Sequence, residues 1–235
     1  MNIIGVSAKK QGGKSTFVNI LKTQLPCWKV LRFADKLKEI VIDCFVPPEW
    51  DWRVDNLDSD EKKNTVLPCG KTVRQLLQLV GTDWFRHTYG DCWINAYGKS
   101  LKSVLYPLKP EQTLVPLVLT PDVRFPNELR YIQEHGGKVV RLLRAPFEFE
   151  DQHESETALD TAMWATLLRW DLNTNNIFRA IRPEMLTTEQ KTQIQDMHAT
   201  WLKNPVLFDQ IVDNRNRTIK DQEEWIVNWI NPNFE

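Results

Sequence analysis

Histidine and cysteine are scarce in this chain, four of each in 235 residues, and neither is clustered. Cys27, Cys44, Cys69 and Cys92 lie far apart, with no CxxC pair and no histidine at ligand spacing, so a zinc site is not expected and the thiols read as reduced. No apolar run approaches the ~20 residues that cross a bilayer. The N-terminus lacks the pattern of a secretory signal, so the expectation is a cytoplasmic protein with no membrane partner. Charge of one sign is lacking too: the formal net charge of −1 gives no global pull toward nucleic acid or an anionic surface, though it leaves room for a local basic cleft. There is no internal repeat, no low-complexity segment and no Asn-Lys-x-Asp element that would read guanine. Tryptophan, by contrast, is abundant at ten residues, several of them at helical spacing in the second half. Core packing is the plain account of these rings, and base stacking the sharper one.

The stretch that organises the chain is the first. Ile3, Ile4 and Val6 make a short buried-strand pattern that feeds Ser7-Ala8-Lys9-Lys10-Gln11-Gly12-Gly13-Lys14-Ser15-Thr16. Phe17, Ile20, Leu21 and Leu25 then recur at helical spacing until Pro26 stops the helix. Strand, glycine-containing loop and helix in that order make a phosphate-binding loop. Successive backbone N–H groups and the helix N-terminus converge on an anion, Lys14 reaches the β- and γ-phosphates, and Ser15 holds Mg²⁺. Ala8 stands where the G-x-x-x-x-G-K-[ST] pattern has glycine, and the turn tolerates it provided position 8 keeps an ordinary backbone angle.

Farther along, Trp28 to Phe33 alternates as a second strand with Asp35 just past its end, where open α/β sheets bind ligands; a helix cap is the plain alternative for that carboxylate. A helix from Lys36 to Cys44 follows, and between 46 and 70 all periodicity breaks down, which reads as a functional or mobile connection. Thr72 is placed to cap a helix from Val73 to Val80 that ends at Gly81, with Arg74 and Arg86 on either side of that turn as a candidate phosphate grip. Another helix opens at Asp91 and runs to about Leu105. Thr113 to Thr120 reads as a central strand followed by Asp122, the pattern of a carboxylate that positions Mg²⁺, with Pro116 out of place inside it. Asn127 to His135 is a helix closed by Gly136-Gly137, and Lys138 to Leu143 a strand with Arg144 at its end. Residues 145–160 look like loop, Leu159 to Trp170 and Thr188 to Lys203 like helices, Leu207 to Val212 like the last apolar run, and Glu223 to Ile230 like the closing helix.

These pieces in this order resemble a known family. The phosphate loop Ala8 to Ser15, Phe33-Ala34-Asp35-Lys36-Leu37-Lys38, Arg74-Gln75-Leu76-Leu77-Gln78 with Gly81-Thr82, Asp91 with Trp93, Asp122-Val123-Arg124-Phe125-Pro126-Asn127-Glu128, Gly136-Gly137, and His153 with Ser155-Glu156 are similar to the bacteriophage deoxynucleoside-monophosphate kinases of the P-loop kinase superfamily. The resemblance spans most of residues 1–160 and resumes weakly near Asp213-Asn214 and the last helix. It implies transfer of the γ-phosphoryl group of ATP, with Mg²⁺, to the 5′-phosphate of a deoxynucleotide. The fold it implies is a single α/β domain over 1–235, a mostly parallel, doubly wound sheet of about five strands with helices on both faces. Residues 46–70 would be an acceptor-side flap and 145–205 a lid-like loop with a helical insertion. Carried over by position, Ala8, Lys10, Gly12, Gly13, Lys14, Ser15 and Thr16 hold the donor phosphates, and Asn214 lies near the donor base. Ser15 and Asp122 serve Mg²⁺. Arg124 and Arg144 meet acceptor phosphate or transferring charge, and Asp35, Lys38, Arg74, Arg86 and Trp93, with Asp122, belong to the acceptor side. Lys14, Asp35, Arg124 and Arg144 are then the catalytic set.

The stretch from Thr161 to Pro205 is longer than this family leads one to expect and carries no motif, so it stands as a helical lid, a homodimerisation element or a platform for a larger substrate. The rival reading is a kinase of the same fold acting on the hydroxymethyl group of a modified pyrimidine in phage DNA, for which Asp35 would serve as general base. A nucleotide-dependent switch that hydrolyses its nucleotide slowly is the non-enzymatic alternative.

Overall fold

The computed structural model describes residues 3–9, 12–24, 28–105, 117–143, 153–163, 165–166, 188–189, 192, 196, 206–214 and 217–234. The expected Pro26 stop, Pro116, Arg144, Lys10 and most of 161–205 lie outside them. The chain divides into two compact units, Met1–Trp28 with Leu117–Glu235, and Lys29–Pro116.

Five strands, β1 (Ile3–Ala8), β2 (Trp28–Val30), β3 (Leu117–Thr120), β4 (Lys138–Leu143) and β5 (Gln210–Asp213), form one sheet in the order β2-β3-β1-β4-β5. The pairings β1 with β3, β1 with β4 and β4 with β5 are all parallel, which makes this an α/β fold of the class the sequence predicts. Helices are α1 (Lys14–Gln24), α2 (Asp35–Phe45), α3 (Asp60–Asn64), α4 (Val73–Gln78), α5 (Cys92–Leu105), α6 (Pro126–Glu134), α7 (Glu154–Thr157) and α8 (Ile219–Phe234), with further helical residues at 160–163.

In the first unit the strand interiors are buried on both faces, as near-continuous apolar runs require: Ile3, Ile4, Val6, Val118, Leu119, Val139 and Val140 have no solvent exposure. Parallel pairing brings every carboxyl end to one edge. Ala8 sits beside Leu142, and Leu143 beside Asp213. α1 buries Phe17 and Leu21 completely, each worth about 1.5–3 kcal/mol, and packs on β1 and α8. Phe17 meets Trp225 of α8 at 6.0 Å, and half-buried Trp225 stacks on buried Trp229 at 5.6 Å, so both rings serve packing here. α6 ends in a Schellman arrangement, with the Gly137 N–H donating to the Ile132 carbonyl and the Gly136 N–H to that of Gln133.

Three expectations for the second unit, and one at the end of the first, are corrected. β2 stops at Val30 instead of running to Phe33. The Arg32 N–H donates to Asp35 Oδ2 at 2.9 Å and the Asp35 N–H to the Arg32 carbonyl at 3.2 Å, a local turn that competes with the ladder. Residues 46–70 are not a structureless connection: they hold 3-10 turns at Pro48–Trp50 and Val54–Asp58, then α3 and a bridge between Val66 and Thr72. The helix capped by Thr72, whose hydroxyl accepts from the Gln75 N–H, does not end at Gly81. It passes into a π-helical stretch, Leu79–Arg86. Gly81 is there for close approach, since a Cβ on it would lie 2.5 Å from Leu37 Cδ2. The last strand, finally, is Gln210–Asp213, later than the apolar run Leu207 to Val212 suggests.

Candidate functional site

The phosphate loop leaves β1 at Ala8 and re-enters regular structure at Lys14, the first residue of α1. The Gly12 N–H donates to the Lys9 carbonyl at 3.0 Å, closing the turn, and Gly13 follows at φ +86°, a conformation that favours glycine. Asp51 is the non-glycine residue with positive φ among those described, so Ala8 keeps the ordinary backbone angle its tolerance requires. The Phe17 N–H is the first to find the Gly13 carbonyl, at 3.0 Å, so the amides before it in α1 have no acceptor within their own helix. They are positioned, with the helix dipole, to take an anion.

At the mouth of this loop the Lys14 ammonium donates to Asp122 Oδ1 at 2.6 Å, and the Arg124 Nε–H donates to the same oxygen at 3.1 Å. Burial raises the Asp122 carboxyl, but the charges and hydrogen bonds of Arg124 and Lys14 outweigh it and hold the group well below the usual carboxylate range. The segment carrying Asp122 and Arg124 is fixed from both ends. The Val123 N–H donates to the Val6 carbonyl of β1 at 3.1 Å, and the buried Glu128 of α6 accepts from the Arg124 N–H at 2.8 Å and the Phe125 N–H at 3.2 Å. Glu128 was visible in the sequence only as part of a resemblance; its work is to cap α6 and hold that loop.

Asn214 follows β5 directly, its N–H donating to the Leu143 carbonyl at 2.6 Å. It is buried, its amide nitrogen is 3.5 Å from where a Cβ on Gly13 would stand, and neither Nδ2 nor Oδ1 has a hydrogen-bond partner. Sequence reasoning missed a second constellation in this unit. Asp160 accepts from Lys9 Nζ at 2.7 Å and from Arg141 Nη2 at 3.2 Å, and Arg141 Nη1 donates to Ser7 Oγ at 2.7 Å.

The candidate oxygens for a divalent cation are the carboxylate of Asp122 and the hydroxyl of exposed Ser15 in the first turn of α1. That fits Mg²⁺, which takes one or two protein oxygens and completes its shell with water and substrate phosphate. No group of three or more His, Cys, Asp or Glu suited to a metal occurs among the described residues.

The acceptor-side candidates sit in the second unit. Asp35 opens α2 with Oδ1 at 3.6 Å from the Arg32 guanidinium; burial raises its carboxyl, and Arg32 and Lys38 only partly offset this. Lys38 is buried and donates to Asp58 Oδ1 at 2.5 Å, while Arg32 Nη2 reaches Asp58 Oδ2 at 2.9 Å. Arg74 pairs with Asp60 at 2.6 Å. Arg86 is buried and donates to the Gly90 carbonyl at 3.3 Å. Trp93 is buried too, its indole N–H on the Gly81 carbonyl at 2.8 Å and its ring 5.2 Å from that of Phe85. The unit thus gathers Asp35 and Lys38 around shared charges.

No family model matches the chain. A protein of Acanthamoeba polyphaga mimivirus that carries the provisional name deoxynucleotide monophosphate kinase is 29% identical over 163 residues, which cover 68% of this chain and 82% of the relative. Among solved structures, TT1252 from Thermus thermophilus aligns over 100% of this chain and 98% of its own, with a TM-score of 0.43 and 15% identity. The dephospho-CoA kinase of Campylobacter jejuni aligns over 98% of both chains, with a TM-score of 0.41 and 15% identity. At scores this low the structural likeness bears on neither site nor substrate.

Proposed function

We propose that the chain is an ATP-dependent kinase that acts on nucleotide-type substrates, moving the γ-phosphoryl group to a deoxynucleoside monophosphate to give the diphosphate. The observation that carries this is the convergence of Lys14 and Arg124 on Asp122 at the mouth of the Gly13–Lys14 loop. The mimivirus relative's name supports the substrate class.

Phosphoryl transfer asks the protein for positioning and compensating charge, little else. In this reading the α1 amides and Lys14 bind the β- and γ-phosphates, so Lys14 exchanges its bond to Asp122 for one to the triphosphate. Arg124 lies beside the transferring group and offsets charge on its equatorial oxygens. Ser15 and Asp122 would hold Mg²⁺, which would supply positive charge against the donor phosphates. An acceptor phosphate oxygen attacks in line, the new P–O bond forms as the bond to the bridging oxygen breaks, and ADP leaves with the electron pair. An ionised acceptor phosphate has no proton to give up, so no general base is required.

A hydroxyl acceptor is the second reading, and the raised carboxyl of Asp35 favours it. A hydroxyl must lose a proton to a group poised nearer neutrality than an ordinary aspartate. Exposed Trp84 and Tyr89 would suit stacking on bases of a modified DNA. The test is release of ADP from ATP and Mg²⁺ across the deoxynucleoside monophosphates and a duplex containing 5-hydroxymethyluracil. Turnover on a monophosphate that disappears with Lys14→Ala is the expected result. Turnover on the duplex alone transfers the function to DNA modification, and no turnover on either rejects both.

A further inference from the structure

Asp160 lies 151 residues from Lys9, yet its two carboxylate oxygens divide between Lys9 and Arg141. Asp160 and Arg141 are almost completely buried, at 3% and 4% side-chain exposure, and Lys9 is 30% exposed. Arg141 belongs to β4, the strand beside β1, and its other nitrogen donates to Ser7 Oγ. The exit of β1 is therefore held twice within three residues, at Ser7 through Arg141 and at Lys9 by Asp160 itself. Lys9 is also where the phosphate loop turns, because its carbonyl receives the Gly12 N–H.

We propose that Asp160 is a positioning residue of the phosphate loop, fixing Lys9 so that the turn closing on its carbonyl presents the Gly13 to Ser15 amides to the donor triphosphate. The inference rests on the kinase reading of that loop. The chemistry is that of a built anchor. One carboxylate joins two cations from neighbouring strand ends, so Lys9 and Arg141 are tied through the same group. The buried guanidinium is paired with Asp160, and breaking that pair leaves an uncompensated buried charge. The same segment reaches the site a second time where Arg124 Nη1 approaches the Ser155 carbonyl at 3.5 Å. Residues 153–160 thus buttress both the loop and the segment bearing Asp122 and Arg124.

Loosening this anchor lowers the fraction of molecules with a competent loop, and apparent affinity falls by that fraction while the saturated rate is kept. The test is a cycle of Lys9→Met, Asp160→Asn and the double variant in the full chain. Titration calorimetry with the Mg²⁺ complex of a non-hydrolysable ATP analogue is read beside kcat, KM for ATP and the melting temperature. Lys9→Met leaves the buried Asp160–Arg141 pair in place and serves even where Asp160→Asn does not fold. The expected result is a rise of about tenfold in Kd and KM for Lys9→Met, with kcat within about threefold of the parent. The double variant should be no worse than Asp160→Asn alone, because the two act as a unit. Unchanged nucleotide affinity in Lys9→Met overturns the proposal, as do additive losses in the cycle or a fall confined to kcat. Failure of the unaltered chain to bind the analogue overturns the kinase reading and this inference together.

Discussion

Two carboxylates, one in each unit, sit among cations and come out opposite. Asp122 has Lys14 and Arg124 on one oxygen, and their charges defeat the effect of burial; the carboxyl is held low and stays an anion. Asp35 faces Arg32 and has Lys38 near, but both of those cations also bond Asp58, so burial prevails and the carboxyl rises. What decides a carboxylate's state is whether the charges and hydrogen bonds facing it outweigh the effect of burial. The first arrangement keeps a permanent negative charge, and the second makes that charge costly.

The comparison breaks most completely at Lys14. Lys14→Ala removes one of the two counter-charges of Asp122 together with the side chain proposed to meet the donor phosphates. Turnover should fall by about 10²- to 10³-fold, the scale for one charge-stabilising donor. Steady-state ADP release with near-normal far-UV circular dichroism is the check, and undiminished turnover would separate the loop from the chemistry. Asp122→Asn should lower kcat by about 10- to 100-fold, as for groups that orient a metal site. It should also destabilise the fold by about 1–3 kcal/mol at pH 7, because two cations lose their counter-charge. The pH sign follows from the lowered carboxyl. Its stabilisation is complete above the unfolded value of about 3.9 and is lost as pH falls through the lower folded value. Chemical denaturation of parent and variant should therefore converge in strong acid and stay apart at neutral pH.

Asn214 lies on the same side of the comparison with a smaller effect. An amide buried with both ends unsatisfied costs about 1–3 kcal/mol, so Asn214→Ala should melt no lower than the parent. If the amide serves the donor nucleotide, KM for ATP should rise about fivefold in the same variant, a loss of a hydrogen bond's net worth. A lower melting temperature with unchanged KM would make Asn214 a packing residue.

How much of this could be read from the residues depends on range. The loop, α1 and Asp122 were legible because each signal is local: strand, glycine, lysine and helix follow one another within 25 residues, and β4 begins and ends where its apolar run does. Thr72 as a cap was legible for the same reason. The turns between 46 and 70 were not, since elements of three to five residues are too short to show a helical period. Nor was the π-helical passage through Gly81, where a packing contact with Leu37 overrides the usual meaning of glycine as a stop. Asp160 was invisible for a plainer reason, since no spacing in one sequence ties residue 160 to residues 9 and 141.

The smallest expected effect decides most about the acceptor. Asp35→Asn keeps the oxygen that accepts the Arg32 N–H and removes only the charge that burial disfavours. A carboxyl raised above its unfolded value costs stability at neutral pH, and the cost is relieved as pH falls through the raised value. The variant should thus be slightly more stable than the parent at pH 7 and lose that advantage in acid, the reverse of Asp122→Asn. With a deoxynucleoside monophosphate as acceptor, kcat should change by no more than about threefold, because an ionised phosphate needs no base. A hydroxyl acceptor would need one, and its loss would cost about 10²- to 10⁴-fold, with the acidic limb of the pH–rate profile removed. Rate and stability measured on this one variant therefore test both halves of the contrast, since a carboxylate that is only structural would move the second and leave the first untouched on either acceptor.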